Sequence, residues 1–168
     1  AASTGTRAGE QWALRWNDVD FDAGELRVVR RVDSYREEGP PKSVAGIRSI
    51  PLSTMLVNTL REWRLKSCFK EAEDLMFPNE KGRHVSHDNL IKRRFKPTLK
   101  KAEVDGVTWH SLRHYAISTW IEAGLPPKTV QTFAGHSSLQ VTMDRYGHLF
   151  PSEDHRISMD AIAGRLIG

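Results

Sequence analysis

Three short blocks in the last third of the chain carry residue types suited to phosphate chemistry. They read His110-Ser-Leu-Arg113-His114, Ala134-Gly135-His136-Ser137-Ser138 and Asp144-Arg145-Tyr146-Gly147-His148. A guanidinium is a planar fork matching two phosphate oxygens, an imidazole donates hydrogen bonds or carries a proton near neutral pH, and a phenol is an oxygen nucleophile once deprotonated. His110 and Arg113 are three apart and share a helical face. They repel if both are charged, and they make sense together with an anion between them. Arg7, in Thr4-Gly-Thr-Arg7-Ala-Gly-Glu10, adds a second clamp, with Glu10 one helical turn on to hold its side chain. Lys42 lies between two predicted strands and would protonate a leaving alkoxide if its loop entered a groove. Together the set would grip a phosphodiester and attack it with an oxygen.

Each feature also has an ordinary explanation. An isolated His-x-x-Arg is commonly a solvated helix face, a histidine after glycine a capping residue, and a tyrosine before glycine a packing residue. Arg7 with Glu10 is a surface pair worth roughly 0.3 kcal/mol, and most loop lysines are simply solvated. Spacing adds a constraint: ten residues of continuous helix span roughly 15 Å. Tyr146 therefore meets His136 only if the chain folds back, or it serves a neighbouring subunit.

The elements that must position these groups are mostly helical. Arg7 to Trp16 is predicted as one helix, with Trp12 and Trp16 at i, i+4. Leu26 to Val32 and Ile47 to Leu52 are predicted strands of an antiparallel sheet, separated by the loop Glu37 to Pro41. Ser53 caps a helix to about Lys66, and Leu75 to Phe77 is a short buried piece. A helix from Ser86 to about Lys101 should be kinked or split by Pro97. His110 to Ala123 is the clearest helix, with Leu112, Ala116 and Trp120 as its apolar stripe and Gly124 as its stop. Lys128 to Ala134 follows Pro126-Pro127 and is closed by Gly135. Ser137 or Ser138 caps a helix toward Tyr146, and an amphipathic helix, about Glu153 to Leu166, carries Ile157, Ala161 and Leu166. The fold class is α+β: mostly helical with a small antiparallel three-stranded sheet.

Composition narrows the setting. With 168 residues, 39% hydrophobic and 27% charged, the chain fits one compact domain with a real core. No apolar run approaches the roughly 18 residues of a membrane helix, and no secretory segment opens the chain, so the default location is the cytoplasm or nucleoid. The single cysteine, Cys68, excludes an internal disulfide and a multi-cysteine zinc site. The net charge is +4 and the pI about 9.4. Cations concentrate at Lys92, Arg93, Arg94, Lys96, Lys100 and Lys101, which is either a solvated helix face or a track for a nucleic-acid backbone. The opening Ala1-Ala-Ser-Thr-Gly5 lacks an initiator Met and runs at once into a motif, as in a fragment whose upstream domain is absent.

In order, the chain carries Arg in a Thr-Gly-x-Arg-x-Gly-Glu context, a hairpin Lys, His-x-x-Arg, a Gly-His-Ser block and Tyr after Arg. In this it resembles the catalytic domain of the tyrosine recombinases, the phage-type integrase family, over essentially its whole length. The resemblance implies that Arg7 and Arg113 clamp the scissile phosphate of double-stranded DNA, with hydrogen bonds from His110 and His136. Tyr146 would attack the phosphorus to form a 3′-phosphotyrosyl link, and Lys42 would act as general acid. No cofactor is implied, neither ATP nor a metal, and Glu10 is a supporting residue. The resemblance also implies a tetramer on recombining sites, with the last helix docked into a neighbouring protomer. Three features depart from the family pattern: Ala45-Gly46 stand where a Ser is usual, though Arg48 is present, Ala134 replaces the usual Leu before Gly135, and the helix that usually leads into Arg7 is mostly missing. Two alternatives stay open, a DNA-binding fragment without catalysis and a type IB topoisomerase. A metal site built from His110, His114 and His136 is disfavoured by Arg113 beside those ligands and by the lack of carboxylate or thiolate companions at ligand spacing.

Overall fold

The computed structural model describes residues 1–150 and the helix His155–Ile167. The N-terminal half is built on short strands. β1 (Val19–Asp20), β2 (Glu25–Val28) and β5 (Arg48–Pro51) form an antiparallel sheet in the order β1-β2-β5, with Leu26 opposite Ile50. β3 (Arg31–Val32) and β4 (Glu38–Gly39) pair separately as a second, two-stranded sheet. The three-stranded sheet is as expected. The predicted strand Leu26 to Val32 is broken at Val29-Arg30, and part of the expected loop 37–41 is strand β4. Side-chain alternation along β2 and β5 buries Leu26, Val28, Arg48 and Ile50 and leaves the residues between them exposed.

The first helix, α1 (Ala8–Trp12), stops well short of Trp16. The chain leaves it to pair with a distant segment: Arg15 forms a bridge with Leu75, and the Met76 amide donates to Leu14 O. This sends the two tryptophans into different cores. Trp12 packs with Ala13 and Val32, whereas Trp16 joins Leu14, Val19, Leu26, Leu60 and Met76. Gly9 permits the contact of α1 with β3, because a Cβ there would lie 2.4 Å from Val32 O.

Ser53 caps α2 (Thr54–Lys66) as expected, its hydroxyl accepting from the Leu56 amide. Between His87 and Lys101 the helical run is not split. α3 (His87–Leu90) passes through a wider π-helical turn, 91–95, into α4 (Lys96–Lys101). Pro97 has no N–H and crowds the carbonyl four residues back, and the wider turn just before it relieves that crowding.

The C-terminal half holds α5 (Trp109–Glu122), α6 (Pro127–Ala134) and α7 (Leu139–Tyr146). Their shared core is Ile117, Ile121, Val130, Ala134 and Tyr146. The buried face of α5 is Arg113, Ala116, Ile117 and Ile121, so the expected stripe through Leu112 and Trp120 is rotated by about one residue, and both of these are only half-buried. The last helix, α8 (His155–Ile167), overlaps the predicted span and runs one residue past Leu166. Glu153 and the side chains of Ile157 and Ala161 lie outside the described residues, and Leu166 is exposed.

Candidate active site

The carboxyl end of α6 is the anchor of the site. Its last carbonyls have no partner within the helix and stand at the negative end of its dipole. Three guanidiniums from three separate parts of the chain take them. Arg48 Nε donates to Phe133 O at 2.7 Å, Arg113 Nη2 to Ala134 O at 2.6 Å, and Arg7 Nη2 to the cap carbonyl of Gly135 at 3.0 Å. Gly135 makes this possible. It sits at φ +65°, where a Cβ would lie 2.9 Å from Arg48 Nη1.

Glu10 ties the arginines together. Its Oε1 accepts from Arg7 Nη1 at 2.8 Å, and its two oxygens accept from Arg48 at 3.2 and 2.9 Å. Burial pushes the Glu10 pKa up, but the hydrogen bonds and charges of Arg48 and Arg7 override it and hold the group below the ordinary carboxylate range. Arg113, only 4% exposed, also donates to Gly5 O. Burial first, then the charges of Arg7 and Arg48, lower its pKa to about 9, so it stays charged at neutral pH. Three guanidiniums against one carboxylate leave 3 − 1 = +2 in one place. The Arg7 side chain is 38% exposed and offers this charge to an incoming anion.

The histidines and the tyrosine stand beside this floor. His136 is buried; its Nδ1 lies 2.9 Å from Thr142 Oγ1, and its ring stacks on Tyr146 with centroids 6.3 Å apart. Burial, then the charge of Arg113, lowers the His136 pKa to about 4, so the ring is neutral. The chain does fold back. The left-handed turn at Gly135 reverses it, and α7 starts only at Leu139, so Thr142 and Tyr146, one turn apart, face His136. The Tyr146 hydroxyl, in the same chain, lies 2.5 Å from His114 Nδ1. Burial raises the phenol pKa against the opposing pull of Arg113 and Arg145, so the hydroxyl is protonated. His110 is exposed and packs edge-on against His114, with ring centroids 4.6 Å apart. The neighbouring rings and helix desolvate one side of it, and this partial desolvation, then the charges of His114 and Arg113, lower its pKa.

Lys42 is exposed, in the loop between β4 and β5. It lines a cleft of about 510 Å³ together with Arg7, Trp12, Arg31 and Arg36. Arg7, Glu10, Arg113, His136 and Tyr146 thus converge, with His110 at their edge and Lys42 in the adjoining cleft. Lys92, Arg93, Arg94, Lys96, Lys100 and Lys101 are all exposed along the π-helical turn and α4, apart from that cluster. Among the described residues no three His, Cys, Asp or Glu side chains converge as a metal-ligand set, so the alternative built from His110, His114 and His136 does not form.

Two residues were not among those expected. Arg48 was visible only as context before Ile50-Pro51-Leu52, although its even spacing from Ile50 puts it on the inward face of β5. His114 follows Arg113 directly, and only the path of α7 brings it to Tyr146.

Residues 1–153 match the family described as the phage integrase family. The chain belongs to that family. Among relatives of this integrase-family chain, a tyrosine recombinase XerC-like protein of Caldanaerobacter subterraneus subsp. tengcongensis is 32% identical over 176 residues, covering 91% of the chain and 45% of the relative. The ICEBs1 integrase of Bacillus subtilis is 29% identical, covering 92% and 45%. The chain therefore spans a little under half the length of these relatives. The Tn1549 transposon integrase, solved in complex with transposon right end DNA, superposes with a TM-score of 0.76 at 21% identity, covering 96% of this chain and 56% of that one. The mostly helical fold with small antiparallel sheets is that of the integrase catalytic core.

Proposed function

We propose that residues 1–168 act as one catalytic domain of a site-specific DNA recombinase, cutting and rejoining duplex DNA through a 3′-phosphotyrosyl intermediate. The observation that carries this reading is the meeting of Arg7 and Arg113 at the carboxyl end of α6, with Tyr146 of the same chain packed in the core that holds Ala134 and its phenol under the charge of Arg113. The scissile phosphate docks on Arg7 and Arg113, whose fixed charges stabilise the extra negative charge of the pentacoordinate transition state. His110 and His136 donate hydrogen bonds to its oxygens, and Glu10 and Arg48 keep the clamp in place. The Tyr146 oxygen attacks phosphorus in cis, and Lys42 protonates the departing 5′-oxygen. A 5′-hydroxyl from a second duplex then reverses the step. The covalent link retains the phosphodiester energy, so the reaction needs neither ATP nor a divalent metal. The exposed cations from Lys92 to Lys101 track the DNA backbone without reading bases.

Strand exchange needs several protomers on the DNA, and α8 fits that role toward a second copy of the chain. Met159, Ile162 and Leu166 recur at helical spacing and are all exposed. Relatives named as recombinases and integrases, one of them in complex with transposon DNA, support the same reading.

A covalent-trapping assay tests it. Nicked duplexes tiling the DNA on either side of the gene are incubated with the protein without metal, and denaturing gels compare wild type with Tyr146→Phe. A protease-sensitive protein–DNA adduct that needs Tyr146 is expected. Intact DNA binding without an adduct would leave a non-catalytic DNA-binding domain.

A further inference from the structure

The roles above leave the nucleophile without a base. Tyr146 enters the reaction as a phenol, and its proton must go somewhere as the oxygen bonds to phosphorus. Tyr146 Oη lies 2.5 Å from His114 Nδ1 on α5. Arg145 also acts on this oxygen, but a guanidinium can only donate. The tautomer with its proton on Nε2 presents the Nδ1 lone pair to the phenolic hydrogen. The ring is held on both sides, edge-on against His110 and within 5.8 Å of the Tyr146 ring, and Tyr146 itself is 4% exposed and stacked on His136. An acceptor locked at hydrogen-bond distance from the reacting atom satisfies the geometric requirement for a general base.

We propose that His114 is a catalytic residue, the general base that takes the Tyr146 proton during cleavage and returns it during rejoining; this rests on the recombinase reading above. In the forward step the Tyr146 Oη–P bond forms, the bond from phosphorus to the 5′-oxygen breaks, the phenolic proton passes to His114 Nδ1, and a separate proton from the general acid caps the 5′-oxygen. In the reverse step the incoming 5′-hydroxyl loses its proton to that conjugate base, and His114 reprotonates the phenolate. The groups facing His114 are His110 and Arg113 on its own helix and Arg145 and Tyr146 on α7, with His136 behind Tyr146. Burial, then Arg145 and Arg113, keep its pKa below the ordinary histidine value, so it is neutral at rest and free to accept. Those same cations oppose a proton on it until a bound phosphate offsets their charge, which couples base strength to substrate docking.

The test compares wild type, His114→Asn, His114→Ala and Tyr146→Phe in adduct formation across pH. Asn keeps a hydrogen-bonding oxygen near the place of Nδ1 and cannot take the proton. Thermal melting and salt-dependent duplex binding establish that each variant is folded. Once the cut is mapped, the duplex is resynthesised with sulfur bridging at the 5′ position, so that the leaving group needs no proton. At neutral pH His114→Asn should slow adduct formation by about 10²-fold or more. The deficit should shrink as pH rises and hydroxide takes over, and wild type should show an acid limb that His114→Asn lacks. On the sulfur-bridged duplex His114→Asn should stay slow while Lys42→Ala recovers. A His114→Asn rate equal to wild type, or slower by the same factor at every pH, would overturn the base and leave a positioning contact. Recovery of His114→Asn on the sulfur-bridged duplex would overturn it too, by making His114 part of the acid side. No adduct from wild type would remove the recombinase reading and the base with it.

Discussion

The arginine floor and the lysine loop carry the same charge and are built in opposite ways. Arg7, Arg48 and Arg113 converge from a helix start, a strand and a second helix onto the end of α6, and every one spends donors on protein oxygens. Lys42 stands exposed in a loop between two small sheets. In the mechanism proposed above, the difference follows from what each would do. A charge that stabilises a transition state works best when it is already fixed, because nothing then reorganises as the reaction proceeds. A general acid must instead reach the leaving oxygen and exchange protons with water, and a flexible amine on a solvated loop does both.

Removing the carboxylate should have the largest effect on the floor. Glu10→Ala leaves Arg48 buried with an uncompensated charge and should destabilise the fold by about 3–5 kcal/mol, read as a lower urea midpoint. Acid should weaken the same region. His136 has its folded pKa lowered to about 4 from an ordinary 6.5, so below pH 6.5 the unfolded chain takes up the proton first. That contribution is whole above pH 6.5 and is lost as pH falls to about 4, a change of about 3 kcal/mol. Glu10, whose pKa is also depressed, adds a loss in the same direction at lower pH. Melting temperatures followed from pH 7 to pH 4 should fall throughout, and His136→Asn should flatten the upper part of that decline.

Lys42→Ala should do the reverse of Glu10→Ala. Stability should stay within about 0.5 kcal/mol of wild type, while adduct formation slows about 10²-fold, or about 2.7 kcal/mol of barrier. A large loss of stability would mean that the loop is part of the scaffold. Gly135→Ala should cost about 2 kcal/mol, from the left-handed backbone and the crowding of Arg48, and should slow cleavage because the Arg7 and Arg113 acceptors shift. Lys100→Gln or Lys101→Gln should act least, lowering the slope of log affinity against log salt by about 1 each with no change in cleavage of bound DNA.

Much of this was legible from residue order. Helices α2, α5, α6 and α7 lie where apolar spacing, Ser caps and glycine stops put them, because those signals are local. The differences came where a distant segment took over or the backbone adjusted locally. The helix from Arg7 ends four residues early because 74–76 offers its backbone to Leu14, Arg15 and Trp16. The helix through Pro97 stays continuous because a wider turn absorbs the crowding. Arg113, on a face that could equally be solvated, is buried, because the Ala134 and Gly5 carbonyls accept its guanidinium hydrogens there.

The sequence by itself proposed the candidates for the site: Arg7, Lys42, His110, Arg113, His136 and Tyr146 in a particular order, with Glu10 in support. Helix periods and turn chemistry act over a few residues, so that order could be read along the chain. Only the tertiary structure decided that Arg48 joins the floor, that Tyr146 returns to its own His136, and that His114 meets the phenol. Those contacts join residues 6 to 85 positions apart. They depend on where α6 ends and how α7 turns back from it, and no local propensity encodes that geometry.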